Sequence, residues 1–177
     1  MRSVYVITGV QAAGKSTVAQ RLAERLDGPA AHVHGDLFRR WIVNGRVDMG
    51  PAGSAEAEHQ LRLRHRLAAQ ACNTYAEAGV TPVVQDVFLG EFLNYTLAAI
   101  RARPLHLVVL APRPDAVAAR ESGRGKVAYD RWTVDALDRI LRDETPRIGL
   151  WLDTSELTVE ETVDRILAGQ AESEIDG

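Results

Sequence analysis

Short apolar runs alternate with amphipathic stretches along the whole chain. Residues 4–7 (V-Y-V-I) form a β-prone run ended by Thr8 and Gly9, after which Val18, Leu22 and Leu26 recur at a spacing of four. That pattern predicts a strand, a glycine loop and a helix. Residues 31–34 form a second short run closed by Gly35 and Asp36; residues 36–43 read as helix until Asn44 and Gly45 stop it, and residues 45–53 read as loop. Ala, Leu, Glu, Gln and Arg dominate from about residue 54 to 78, which predicts a long helix with Gly79 as its stop. Residues 82–87 and 105–110 read as strands, residues 91–103 and 115–122 as helices. After Gly123 and Gly125 break the pattern, residues 132–143 are again helical and residues 148–152 form a last strand. A helix over 158–168 opens on Thr158 and Glu161, the spacing of a capping box, and the tail from Gly169 is expected to fray.

Strands that alternate with helices and read as unbroken apolar runs (Val83, Val84; Leu107 to Leu110) predict a parallel sheet buried on both faces. The expected architecture is α/β: a three-layer domain with five parallel strands. A chain of 177 residues with a 46% hydrophobic share fits one such domain, with a lid at about 120–132. A net charge of -3 argues against general binding to nucleic acid or anionic membrane, which rests on clustered Lys and Arg. Cys72 is the single cysteine, so no intramolecular disulfide forms and no Cys-rich zinc site exists. The N-terminal apolar run is too short for a signal-peptide core, and a cytoplasmic setting is expected.

The sharpest chemical feature is the string Gly9, Val10, Gln11, Ala12, Ala13, Gly14, Lys15, Ser16, Thr17 between the first strand and helix. Its glycines let backbone amides converge on phosphate oxygens; Lys15 is placed to reach the β and γ phosphates, and Ser16 to offer its hydroxyl to magnesium. The helix that follows adds the positive end of its dipole. ATP and Mg2+ are the expected cofactors.

Ligands of open parallel sheets bind beyond the carboxyl ends of the strands, where Asp36 and Asp86 fall. A kinase acting on an alcohol needs a carboxylate to orient the acceptor hydroxyl and take its proton, and Asp36 is the candidate base; the competing reading is an N-cap. Asp86 reads as a Walker B aspartate holding magnesium or lining the acceptor site, or else as a turn residue. Arg120, Arg124 and Lys126 make a basic segment that could close over the transferring phosphoryl group. Arg39 and Arg40 are either acceptor contacts or surface charges. Arg62, Arg64 and Arg66 read as a solvated face, with Arg64 turned away from the other two, and His65 as packed or lining the cleft rather than binding metal.

With these pieces placed, the chain resembles the small P-loop kinases of the chloramphenicol phosphotransferase type, within the wider group shaped like nucleoside monophosphate and shikimate kinases. The residues that carry the resemblance are Gly9 to Thr17, the turn Gly35-Asp36-Leu37, the run Gln85-Asp86-Val87-Phe88-Leu89-Gly90 and the segment Arg120-Glu121-Ser122-Gly123-Arg124-Gly125. The resemblance implies the role of base for Asp36, and it implies that Arg120 and Arg124, four positions apart, divide contacts to adenine and phosphate. It departs at Gln85, where that family can show a second acidic residue, and through residues 45–58, which should shape the acceptor pocket. The stretch from Arg120 through Trp132 to Asp153-Thr154-Ser155 is also similar to tunicamycin-resistance ATP-binding proteins.

The resulting expectation is an ATP-dependent phosphotransferase acting on a hydroxyl of a small molecule, such as an antibiotic or secondary metabolite. Two alternatives stay open: a nucleoside or nucleotide kinase using Arg39 and Arg40, and an ATP-gated binding protein of resistance type that transfers nothing. A GTPase switch lacks its Asn-Lys-x-Asp guanine-reading segment. Trp41 and Trp132 are candidate contacts for a homo-oligomer.

Overall fold

In a computed structural model, residues 2–122 and 133–175 are described. Strand β1 (Val4–Gly9) lies between β3 (Thr81–Gln85) and β4 (Leu105–Leu110), with β2 (Ala30–His34) outside β3 and β5 (Leu150–Leu152) outside β4. All five are parallel. Every residue of β1, β3 and β4 is buried, the physical origin of their nearly unbroken apolar spelling. Helix α1 (Lys15–Arg25) packs on β2, β3 and α7 (Val159–Ala168), whereas α3 (Ala55–Glu77) packs on β2 and β3 and against α4 (Glu91–Ala99). The result is the expected three-layer α/β arrangement, with Ile7, Leu22, Phe88, Leu93, Leu107 and Ile166 at its centre. Each such side chain contributes about 1.5–3 kcal/mol on burial.

Local chemistry sets most helix ends where the pattern placed them. Ser54 caps α3 by accepting from Ala57 N at 3.0 Å. Thr158 and Glu161 form the reciprocal capping box of α7: Glu161 N donates to Thr158 Oγ1 at 3.2 Å and Thr158 N to Glu161 Oε2 at 2.8 Å. Helix α5 (Pro114–Ser122) starts with proline in its first turn, where a missing N–H costs nothing.

Four expectations are corrected. Helix α2 (Gly35–Arg40) ends three residues before Val43, which is 93% exposed and has no packing to draw it into another turn. Helix α4 ends at Ala99 rather than 103 because the buried Asn73 of α3 caps it, donating to Ala99 O at 3.0 Å and accepting from Arg101 N at 2.8 Å. The helix expected over 132–143 is α6 (Val134–Arg139), continued by a π-helical turn over Ile140–Glu144, and Trp132 lies outside the described residues. The tail does not fray. Helix α8 (Gln170–Ser173) and strand β6 (Glu174–Ile175) fold back, and β6 pairs antiparallel with the start of β4. Gln170 Nε2 donates to the Tyr5 hydroxyl at 2.7 Å, and the buried Ser173 Oγ lies 3.0 Å from His106 Nδ1.

Candidate active site

The candidate site is assembled at the carboxyl ends of β1 to β5. Gly9 leaves β1 at φ 146°, and a Cβ there would overlap the Leu110 carbonyl oxygen of the neighbouring strand. Only glycine fits this approach. Gly14 precedes α1 at φ 92°, a left-handed conformation that favours glycine. Between them Ala12 holds the left-handed conformation at φ 59°, unusual for a residue with a side chain. The first amides of a helix have no intrahelical acceptor, so this loop and the start of α1 form a concave donor surface suited to phosphate. The buried Lys15 arches over the loop and its Nζ donates to Val10 O at 2.6 Å, while Ser16 and Thr17 are exposed on the first turn of α1.

Arg120, 107 residues further on, is brought to this loop by the last turn of α5. Its Nη2 donates to Thr154 O at 2.6 Å, and its Nη1 reaches Ala13 O at 3.5 Å. The guanidinium therefore joins the phosphate loop to the segment following β5. Arg124 and Lys126, the remainder of the expected basic lid, lie outside the described residues.

Asp36 sits inside the first turn of α2, and the residue at the N-cap is His34, so the capping alternative for Asp36 does not hold. Its carboxylate is 44% exposed and accepts from Arg39 Nε at 2.7 Å, with Arg40 Nε 3.0 Å from its other oxygen. Arg39 also grips both oxygens of Asp48 at 3.0 Å. Thus the two arginines beside Asp36 are already partnered by carboxylates. A carboxylate offers about four acceptor positions, so Asp36 keeps capacity for an acceptor hydroxyl. Residues 47–54 line an open depression of about 400 Å3, with Val47, Asp48, Pro51, Ala52 and Ser54 on its walls. A cavity of about 590 Å3 beside β5 includes Arg113, Arg147 and Trp151 but none of the phosphate-loop residues.

Asp86 is placed differently from the sequence expectation. It is 4% exposed, and both its oxygens are held by Arg64, with Nε to Oδ2 at 2.6 Å and Nη2 to Oδ1; Val87 N also donates to Oδ1 at 2.8 Å. Burial would raise its pKa, yet the Arg64 charge and hydrogen bonds hold the carboxyl below the usual carboxylate range. Arg64 is only 12% exposed, so the solvated-face reading fails for it. It holds for Arg66, which is exposed, and in part for Arg62, which pairs with Glu58 and Glu91. The sequence carries a signal for such a partner: a carboxylate closing a buried apolar run requires a cationic one. His65 is packed, fully buried edge-on against Phe88 at 4.8 Å, and desolvation pushes its pKa down to about 4. His34 Nδ1 lies 2.9 Å from Gln85 Nε2, so the position that departs from the family pattern is tied to the residue just before α2.

Among described residues, no group of three His, Cys, Asp or Glu is arranged to hold a metal, and no helix is long and apolar enough to cross a membrane. A search of curated proteins gives no match. Among solved structures, the chain is similar to the APS kinase of Mycobacterium tuberculosis in complex with AMPPNP and APS, with 17% identity over 96% of this chain and 97% of that one, at a TM-score of 0.69. It is similar to a gluconokinase from Sinorhizobium meliloti 1021 at 18% identity, with 96% and 91% covered and a TM-score of 0.65. The tunicamycin resistance protein of Deinococcus radiodurans matches at 16% identity over 100% of both chains, with a TM-score of 0.66. At such identities these likenesses show the P-loop kinase fold and no more. The family itself is shown by a sequence model that matches residues 2–169: the chain belongs to the chloramphenicol phosphotransferase-like proteins.

Proposed function

We propose that the protein is an ATP-dependent phosphotransferase that moves the γ-phosphoryl group to a hydroxyl of a small molecule, an antibiotic or secondary metabolite of uncharged body. The observation that carries this reading is Asp36, a half-exposed carboxylate on the turn after β2, on the same edge of the sheet as the phosphate loop and Arg120. In the transfer, a bond forms between the acceptor oxygen and the γ phosphorus as the bond to the β–γ bridging oxygen breaks. Asp36 orients the hydroxyl and takes its proton. Lys15 leaves the Val10 carbonyl to meet the phosphate charge, while the loop amides fix the chain of phosphates. Arg120 adds a second cation at the loop's rim, and Arg124 is proposed to join it. Ser16, exposed beside Lys15, is the hydroxyl suited to magnesium. When bound there, the ion would neutralise phosphate charge.

The depression beside Asp48 is the proposed acceptor pocket, and its Val47, Pro51 and Ala52 favour an apolar surface on the ligand. Arg39 and Arg40 are neutralised by Asp36 and Asp48, which argues against an acceptor phosphate and hence against a nucleoside monophosphate kinase. The test is transfer of labelled γ-phosphate to a panel of hydroxylated metabolites, with nucleoside monophosphates included. Product is expected on an uncharged alcohol and lost in Asp36→Asn while ATP binding survives. Equal turnover by Asp36→Asn removes the base from the mechanism, and robust phosphorylation of a monophosphate selects the nucleotide-kinase reading. ATP-dependent binding of a ligand that is never altered selects the gated binder instead.

A further inference from the structure

Magnesium chemistry and the Asp86 carboxylate do not fit one another in this fold. A magnesium ion needs oxygen ligands at about 2.0–2.1 Å and keeps several waters. Asp86 is buried, and three of the roughly four acceptor positions of its carboxylate are already taken. Oδ1 accepts from Arg64 Nη2 and Val87 N, Oδ2 accepts from Arg64 Nε, and the side chain is 4% exposed. A guanidinium occupies the place from which a cation would approach.

The same carboxylate has a second neighbour. Gly35, the first residue of α2, lies so close that a Cβ on it would stand 2.6 Å from Asp86 Cγ, a separation that no real Cβ tolerates. Gly35 has no positive φ, so the glycine is required here by space and not by backbone conformation. Asp36 is the next residue. The chain of contact therefore runs from α3 through Arg64 to Asp86 at the end of β3, from there to Gly35, and so to the backbone that carries Asp36.

We infer that Asp86 is not a magnesium ligand but a positioning residue, and that with Arg64 it forms a buried clamp that seats the Gly35–Asp36 turn. The role given to the seated Asp36 rests on the proposal that it is the acceptor base; the clamp itself does not. The physical reason for an ion pair in place of an apolar contact is geometric. A bidentate guanidinium–carboxylate pair fixes the carboxylate plane as well as its distance. Gly35 lies directly against that carboxylate, so a fixed carboxylate fixes the surface on which the turn rests.

The test compares Asp86→Asn, Arg64→Lys and Gly35→Ala with Ser16→Ala, using two readouts that need no acceptor. The first is hydrogen exchange by mass spectrometry over residues 35–41. The second is the magnesium concentration that half-saturates ATP binding, by calorimetry. The clamp predicts exchange at least tenfold faster over 35–41 in all three clamp variants, with the half-saturating magnesium unchanged within twofold, whereas Ser16→Ala shifts magnesium and leaves exchange alone. A tenfold rise in the magnesium required by Asp86→Asn, with or without faster exchange, overturns the inference. So does unchanged exchange in Gly35→Ala, which disturbs the contact without touching either charge and serves alone if Asp86→Asn does not fold. Loss of transfer in Asp36→Asn is read separately, so the base can fail while the clamp stands, and the reverse.

Discussion

If Lys15 meets the phosphates as proposed, its replacement isolates what one cation contributes to transfer. Lys15→Ala is expected to raise the transfer barrier by at least about 2 kcal/mol, roughly a 30-fold loss in rate, because a cation is removed from developing phosphoryl charge. Steady-state kinetics on the acceptor from the screen measure it, and near-normal turnover dismisses Lys15. His65 makes a different residue-scale prediction. Desolvation sets its folded pKa at about 4, below the value near 6.5 expected in the unfolded chain. The unfolded state thus binds the proton first as pH falls, so stability is full above pH 6.5 and is lost as pH drops from 6.5 toward 4. The loss is on the order of 3 kcal/mol at most. Urea unfolding midpoints between pH 7 and 4 should show a shallower decline in His65→Leu than in the parent; parallel curves exclude the histidine as the cause.

At the scale of elements, the helix ends decide how the site is presented. Asn73 serves two backbone groups at once, the carbonyl of Ala99 and the amide of Arg101, and no other partner for them is supplied by the turn. Asn73→Ala leaves both without that side chain in a part-buried corner, at a cost on the order of 2–4 kcal/mol. Chemical denaturation checks this, with ATP affinity as the control that stays constant. The phosphate loop is an element of the opposite kind, held by what is absent. In Gly9→Ala the added methyl runs into the Leu110 carbonyl while the backbone sits at φ 146°, so β1 and β4 must separate. We expect a stability loss on the order of 1–3 kcal/mol together with weakened ATP binding, since loop and strand register move as one. Unaltered calorimetric affinity in a folded Gly9→Ala protein contradicts that coupling.

Across the whole molecule, the sheet acts as a rigid rail whose carboxyl edge collects groups far apart in the chain. Arg120 meets Ala13 across 107 positions and Arg64 meets Asp86 across 22. The C-terminal tail braces the other end of that rail through Tyr5, His106 and the β4–β6 pairing. A chain ending at Gly169 is expected to lose about 1–3 kcal/mol, because the tail's hydrogen bonds and the cover over β4 go together, without any change in nucleotide affinity. Thermal unfolding with parallel ATP titration decides it; an altered affinity places the tail in communication with the site.

What the sequence by itself determined was whatever depends on neighbours along the chain. The alternation of strands and helices, the capping box at Thr158 and the glycine-framed loop before Lys15 are all local and appear where the residues place them, although the bounds of α2, α4 and α6 shift. Only tertiary structure decided the rest. It turned Arg64 inward because a buried Asp86 demands a counter-charge, set Asp36 between Arg39 and Arg40 inside α2 instead of at its cap, and folded the tail onto β4 because Tyr5 and His106 offer it partners. Burial and charge pairing belong to contacts between distant segments, and a linear pattern records the need for such a partner without recording which residue meets it.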